Sequence, residues 1–153
     1  MAVRVSLETV RARRLAAVTR QVAFGGVGAA WRPALDLVWQ FVRRQPGLHQ
    51  GGHNIFVYQQ PMQPGGPMTV AFGVEVTRPF TGQDEVKEVF TPEGEAAMAV
   101  HVGPYDRMRE THRAVQTWAA AQGRALSGRS LEIYGDWSDD PTKLETTILY
   151  LLR

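Results

Sequence analysis

Residues 101–123 read HVGPYDRMRETHRAVQTWAAAQG, and this stretch joins a strand to a helix through a sharp corner. Pro104 lacks a backbone N–H and has a fixed φ, so it ends the strand and suits the start of a helix. Gly103 permits the tight turn before it. One face at helical spacing carries Tyr105, Met108, His112, Val115 and Ala119. The stretch therefore predicts a strand, a Gly-Pro corner and an amphipathic helix over residues 105–122.

The same order of elements is predicted twice along the chain. Apolar alternation and proline- or glycine-rich breaks predict strands at 3–7, 14–24, 54–60, 68–76, 96–102, 130–136 and 144–152. Helices are predicted at 32–45 and 105–122, and each carries a tryptophan, Trp39 or Trp118, at a similar distance before its next strand. We expect the glycine-rich residues 25–30 to break the chain and the polar residues 78–95 to cross between halves. The sequence thus indicates β-α-β-β followed by β-α-β-β.

This order predicts an α+β protein with a duplicated architecture. We expect one domain over residues 1–153, with approximate halves at 1–80 and 95–153. The halves would be related by a pseudo-twofold axis, with antiparallel sheet or sheets and two main helices. Junctions between such halves commonly hold ligands, so a central ligand groove is expected.

Composition excludes several classes of function. There is no cysteine, which excludes disulfides, thiolate nucleophiles and cysteine-bound metals. The formal net charge is only +2, and the cluster RARR at residues 11–14 is expected to be a solvated strand end. Direct nucleic-acid binding is therefore not expected, because it favours a concentrated basic face. No apolar run approaches the ~20 residues that span a bilayer, so we expect no membrane association and a cytoplasmic location.

Three segments resemble the GyrI-like small-molecule-binding domain, which also forms the effector-binding part of AraC-type and MerR-type regulators. They read AVHVGPYDRM, VQTWAAAQG and LEIYGDWSDDPTKLETTILYLL, and they lie within residues 97–152. The similarity is looser over residues 1–76, where VAFGVEV matches the strand that ends the first half. The resemblance implies a duplicated β-α-β-β fold in a stand-alone form, with an aromatic pocket that binds organic molecules, often cationic and aromatic.

The resemblance also implies a glutamate in that pocket, and Glu132 and Tyr134 match the family's Glu-x-Tyr strand. Many members carry a glutamate where this chain has Thr147, and the nearest carboxylate on the same strand face is Glu145. This departure argues against hydrolysis, which would depend on a correctly placed carboxylate. The complete set of expected ligand-binding residues is Glu132, Tyr134, Glu145, Thr147, Tyr105, Trp118, Trp39, Phe56 and Tyr58.

Simpler interpretations apply to several of these residues. Glu132 alternates with Leu131 and Ile133, so it could lie on a solvent-facing side of its strand. Tryptophans on apolar helix faces are more often core than ligand contacts, which concerns Trp39 and Trp118. Two pairs of histidines also have simple interpretations: His49 and His53 lie in a glycine-rich loop and are not expected to bind metal, and His101 and His112 are expected to be packing or surface residues.

Three functions remain open at this level. The leading hypothesis is a sensor or scavenger that captures a hydrophobic or cationic small molecule, with no cofactor, no metal and no catalytic residue. The second is a hydrolase of reactive small molecules on the same fold, with Glu132 or Glu145 as general base and Tyr134 as a hydrogen-bond donor. The third is an inhibitor that acts by protein interaction, and a protein partner or a homodimer is possible in each case.

Overall fold

The computed structural model describes residues 3–61 and 63–153, in which eight strands and two helices form two compact units. The first unit comprises residues 12–91, and the second comprises residues 3–11 together with 92–153. The strands and helices are β1 (Ser6–Val10), β2 (Arg14–Val22), α1 (Val27–Arg43), β3 (Asn54–Gln59), β4 (Met68–Glu75), β5 (Lys87–Phe90), β6 (Gly94–Val102), α2 (Met108–Ala121), β7 (Leu126–Tyr134) and β8 (Glu145–Leu152).

Each unit is a β-α-β-β motif with one added edge strand. In the first unit the antiparallel strands lie in the order β3-β4-β2-β5, and α1 packs on β2 and β4. In the second unit the order is β1-β6-β8-β7, and α2 packs on β6 and β8. The predicted α+β class and the repeated β-α-β-β order are therefore confirmed.

The unit boundaries differ from the halves expected at 1–80 and 95–153, because each motif takes its edge strand from beyond those limits. The first strand of the chain, β1, pairs with β6 of the second unit. The strand β5, within the segment expected to be a polar crossover, pairs with β2 of the first unit. The pattern missed β5 because it is a four-residue edge strand that keeps charged side chains exposed, with only one neighbour.

Helix α1 begins earlier than the sequence pattern predicted. Gly25, at φ +87°, makes the turn that follows β2, and the backbone N–H of Ala30 already donates to the carbonyl of Gly26. The glycines therefore set the turn and the helix start within a few residues, and Pro33 lies inside the helix rather than at its beginning. The buried side of α1 consists of Ala34, Leu35, Val38, Phe41 and Val42.

A pair of phenylalanine rings lies in the core of the first unit, whereas the buried cluster below α2 in the second unit contains aliphatic side chains and a methionine. Phe72 is fully buried in β4, and its ring meets that of Phe56 on β3 edge-on at a centroid distance of 4.8 Å. In the second unit the buried cluster below α2 consists of Ala97, Ala99, Met108, Val115 and Ile148.

The Gly-Pro corner is fixed by a buried histidine at the end of β6. Gly103 has φ +130°, a region that glycine tolerates, and its N–H donates to the carbonyl of Leu144 at 2.8 Å. His101 lies with Nδ1 2.7 Å from Thr111 Oγ1 on α2 and with Nε2 2.9 Å from the carbonyl oxygen of Pro104. The histidine thereby joins the strand, the corner and the helix. Among the residues described, no helix is both long and apolar enough to cross a membrane.

Candidate functional site

The side chain of Glu132 points to the helix-covered face of its sheet. In β7 it lies opposite Ile148 of β8, which belongs to the apolar cluster under α2. Only 7% of Glu132 is exposed. The solvent-facing interpretation of this residue is therefore wrong. Successive side chains of a strand alternate between faces, so Tyr134 shares the face of Glu132.

Hydrogen bonds engage both oxygens of this buried carboxylate. The hydroxyl of Tyr134 donates to Glu132 Oε1 at 2.7 Å, and His112 Nε2 on α2 lies 2.7 Å from Oε2. The other ring nitrogen of His112, Nδ1, lies 2.7 Å from the hydroxyl oxygen of Tyr150 on β8. That oxygen also accepts a hydrogen bond from Gln116 Nε2 at 3.2 Å. We call Glu132, His112, Tyr134 and Tyr150 the acid cluster.

Burial and charge keep Tyr150 in its neutral form. Loss of contact with water raises the pKa of Tyr150 to about 12, and the nearby charge of Glu132 acts in the same direction. The hydrogen bond from Gln116 works against both effects. Because a phenol donates and a phenolate only accepts, Tyr150 serves as a hydroxyl donor at neutral pH.

Tyr105 adds a third tyrosine ring beside the cluster. It follows the Gly-Pro corner directly, and its ring meets that of Tyr134 edge-on at a centroid distance of 5.6 Å. Tyr105 is 43% exposed, whereas Glu132 is buried, so the rings lead from solvent to the carboxylate. Partial burial raises the pKa of the Tyr105 hydroxyl, which stays neutral at physiological pH.

Glu145 and Thr147 lie on the opposite face of the second unit's sheet. In β8 they alternate with Thr146 and Ile148, and Ile148 faces α2 together with Glu132. Glu145 is exposed, and Thr147 is half-buried beside Val100 of β6. The structure therefore brings Glu132, Tyr134 and Tyr105 together, and it does not bring Glu145 or Thr147 to them.

The remaining expected ligand residues have structural partners of their own. Trp118 packs against the apolar cluster beneath α2. Three lie in the first unit: Trp39 donates from Nε1 to Asn54 Oδ1 at 3.1 Å, Phe56 is buried against Phe72, and Tyr58 is half-buried. Whether these four residues contact a ligand stays a prediction, as does the groove expected between the halves.

Sequence reasoning missed His112, Tyr150 and Gln116 as members of the site. Helical periodicity placed His112 on the same face as Met108 and Val115, but the residue was interpreted as a packing or surface residue. A histidine on the apolar face of a helix opposite a Glu-x-Tyr strand was the available signal, because a buried carboxylate needs donors.

The described residues contain no group of three or more His, Asp or Glu side chains able to hold a metal ion. His49 Nε2 lies 2.7 Å from the carbonyl oxygen of Gly52. This ring nitrogen is therefore engaged in a hydrogen bond within its own loop.

Solved structures with the same fold cover nearly the whole chain. The EcmrR C-terminal domain aligns with a TM-score of 0.80 and 19% identity over 100% of this chain and 99% of that one. In an EcmrR–DNA complex the chain spans only 57% of EcmrR, with a TM-score of 0.79 and 18% identity over 99% of this chain. SAV2435 bound to tetraphenylphosphonium aligns with a TM-score of 0.74 and 9% identity over 98% of this chain and 94% of that one.

At these identities the structural likeness shows the fold alone. No protein with a curated description matches the chain significantly. The family model of the GyrI-like small molecule binding domain matches residues 4–153, which is nearly the entire sequence. The resemblance that the sequence motifs indicated is therefore confirmed, and the chain belongs to the GyrI-like small-molecule-binding domain family.

Proposed function

We propose that this chain is a sensor or scavenger that binds an organic cation beside Glu132 in the second unit. The observation that carries the proposal is a carboxylate that is 7% exposed, held by two donors and flanked by tyrosine rings. A structural scaffold gains little from a buried acid, because desolvation of the charge opposes folding. A ligand that brings a positive charge compensates that loss.

The expected energies favour a broad rather than a selective site. At an effective dielectric of ~20, a cation ~4 Å from the carboxylate gains roughly 4 kcal/mol before desolvation. Each tyrosine face adds ~0.5–2 kcal/mol through cation–π attraction. Neither contribution depends on a directional hydrogen bond from the ligand, so cations of different shape are accepted. Tetraphenylphosphonium, the ligand of SAV2435, has this chemistry.

The test is a titration of the protein with tetraphenylphosphonium, followed by calorimetry and tryptophan fluorescence. We expect saturable binding that Glu132→Gln weakens by roughly 10- to 100-fold, because the substitution removes the charge and keeps the shape. The amide that this substitution introduces can donate to His112 Nε2 in the other tautomer of the ring, so the fold should persist.

Glu145→Gln is the matched control, since it removes the same charge from an exposed position on the opposite face of the sheet. We expect it to bind like the unmodified protein. Equal affinity of Glu132→Gln and the unmodified protein, or a loss confined to Glu145→Gln, would contradict the assignment of Glu132.

A further inference from the structure

His112 is the member of the acid cluster that can carry a positive charge of its own. Its Nε2 atom contacts Glu132 Oε2, which in an ionised carboxylate only accepts, so Nε2 carries a hydrogen. With a neutral ring, Nδ1 then accepts from the hydroxyl of Tyr150, whose oxygen accepts from Gln116. Each of these three hydrogen bonds then has one donor and one acceptor. The neutral ring therefore fits the geometry and leaves the cluster with a net charge of −1.

The protonated ring fits the same positions. A second hydrogen on Nδ1 donates to the Tyr150 oxygen at the same 2.7 Å, and the phenolic hydrogen only has to rotate away. The imidazolium then forms an ion pair with Glu132 across the 2.7 Å contact. In that state the cluster carries no net charge, because its only anion is paired internally. No backbone movement separates the two states.

The groups around His112 do not favour either of its two protonation states, so the contact with Glu132 decides between them. Glu132 faces it from β7 and Tyr150 faces it from β8, while His101 on β6 is occupied by Thr111 and the Pro104 carbonyl. On its own helix the neighbouring cations Arg109 and Arg113 are exposed to solvent, where water and salt screen their charges. Side-chain exposure of 22% gives His112 access to protons from solvent.

From this arrangement we infer that His112 determines the charge of the ligand that the site accepts. The inference rests on the proposed function, since it concerns the same carboxylate. When His112 is neutral, the negative charge of Glu132 is available to a ligand with one positive charge. When His112 is protonated, its imidazolium neutralises Glu132 in place of that ligand. Binding of a permanent cation and protonation of His112 are then mutually exclusive, and linkage requires that cation binding releases a proton. A neutral ligand of the same shape does not compete with the proton.

The experiment compares tetraphenylphosphonium with the neutral triphenylphosphine oxide between pH 5 and 8, the range in which imidazoles titrate. For the unmodified protein we expect cation affinity to rise with pH, with a limiting slope of about tenfold per pH unit. Affinity for the oxide should stay constant. His112→Gln keeps a donor for Glu132 but cannot be protonated, so its cation affinity should not change with pH. Arg113→Gln removes an exposed charge from the same helix and should keep the rise.

Proton release provides a second measurement on the unmodified protein, so the test does not depend on the folding of a variant. Calorimetry at pH 6 in two buffers of different ionisation enthalpy should show release of a proton when the cation binds. A pH-independent cation affinity, a rise that persists in His112→Gln, or the absence of proton release would overturn the inference while leaving the proposed function intact. Absence of cation binding at every pH would overturn both.

Discussion

The two units place different chemistry at equivalent positions of the same framework. Their central strands β4 and β8 align when Phe72 is matched with Ile148, the residues that face the rest of each core. Phe72 lies opposite Phe56, whereas Ile148 lies opposite Glu132. The ring of Trp31 on α1 lies 6.5 Å from that of Phe56, while α2 offers a histidine to the glutamate.

Two neighbouring positions of the central strands are also apolar in the first unit and polar in the second. Val74 of the first unit corresponds to Tyr150, and Val70 corresponds to Thr146. At the two positions that match Tyr150 and Thr146 the first unit therefore has valines, whereas the second unit has side chains with hydroxyl groups. In a duplicated fold one copy can supply stability while the other carries a site that costs stability. The following three substitutions test that division, from the largest expected effect to the smallest.

Phe72→Ala should cause the largest loss of stability. The ring is fully buried in a central strand and packs on Phe56, so its removal leaves a cavity that the sheet cannot close. We expect the free energy of unfolding to fall by about 3–5 kcal/mol in urea denaturation. The corresponding truncation in the second unit, Ile148→Ala, should lose about 2–5 kcal/mol, because it removes a smaller side chain. A larger loss for Ile148→Ala than for Phe72→Ala would contradict the view that the first unit supplies more of the stability.

Tyr150→Phe should remove a pH-dependent part of the stability. In the folded protein the pKa of Tyr150 is raised to about 12, compared with ~10 for an unfolded tyrosine. Between these values the unfolded chain has lost the proton that the native state keeps, so stability falls as pH rises. The contribution is complete below pH ~10, is lost as pH rises through ~12, and amounts to about 3 kcal/mol.

Urea denaturation from pH 8 to 12 would measure this difference, since the other titrating groups are common to both proteins. We expect the stability of the unmodified protein to fall relative to that of Tyr150→Phe as pH rises. A constant gap over this range would mean that the hydroxyl of Tyr150 is not held in its neutral form.

Thr146→Val should raise stability by roughly 1 kcal/mol. Thr146 is fully buried, and its hydroxyl has no hydrogen-bond partner among the described residues. Valine has almost the same shape, occurs at the corresponding Val70, and leaves no buried polar group unpaired. Thr146→Ser keeps the hydroxyl and should be less stable than the unmodified protein. A loss of stability in Thr146→Val would reveal a partner for the hydroxyl, such as bound water.

Local patterns were sufficient for most of the fold but for only part of the site. The Gly103-Pro104 corner and the alternation around Glu132 could be predicted, because both depend on neighbouring residues in the chain. The face on which Glu132 lies depends on which side α2 covers. Its partner Tyr134 is local, two residues further along the same strand, whereas His112 depends on how α2 packs on the sheet. The position of Tyr150 depends on the pairing of β7 with β8, which includes an irregularity between Leu126 and Ser130. Such long-range register leaves no local signal.

The pairing of β1 with the distant strand β6 has a consequence for synthesis on the ribosome. Residues 12–91 form a continuous segment that contains all strands of the first unit, so the whole of this unit is made before β6. β1 is made before it, but its partner β6 is made after it, so β1 waits with an unpaired edge throughout. During that interval β1 is open to pairing with another nascent chain or to capture by a chaperone.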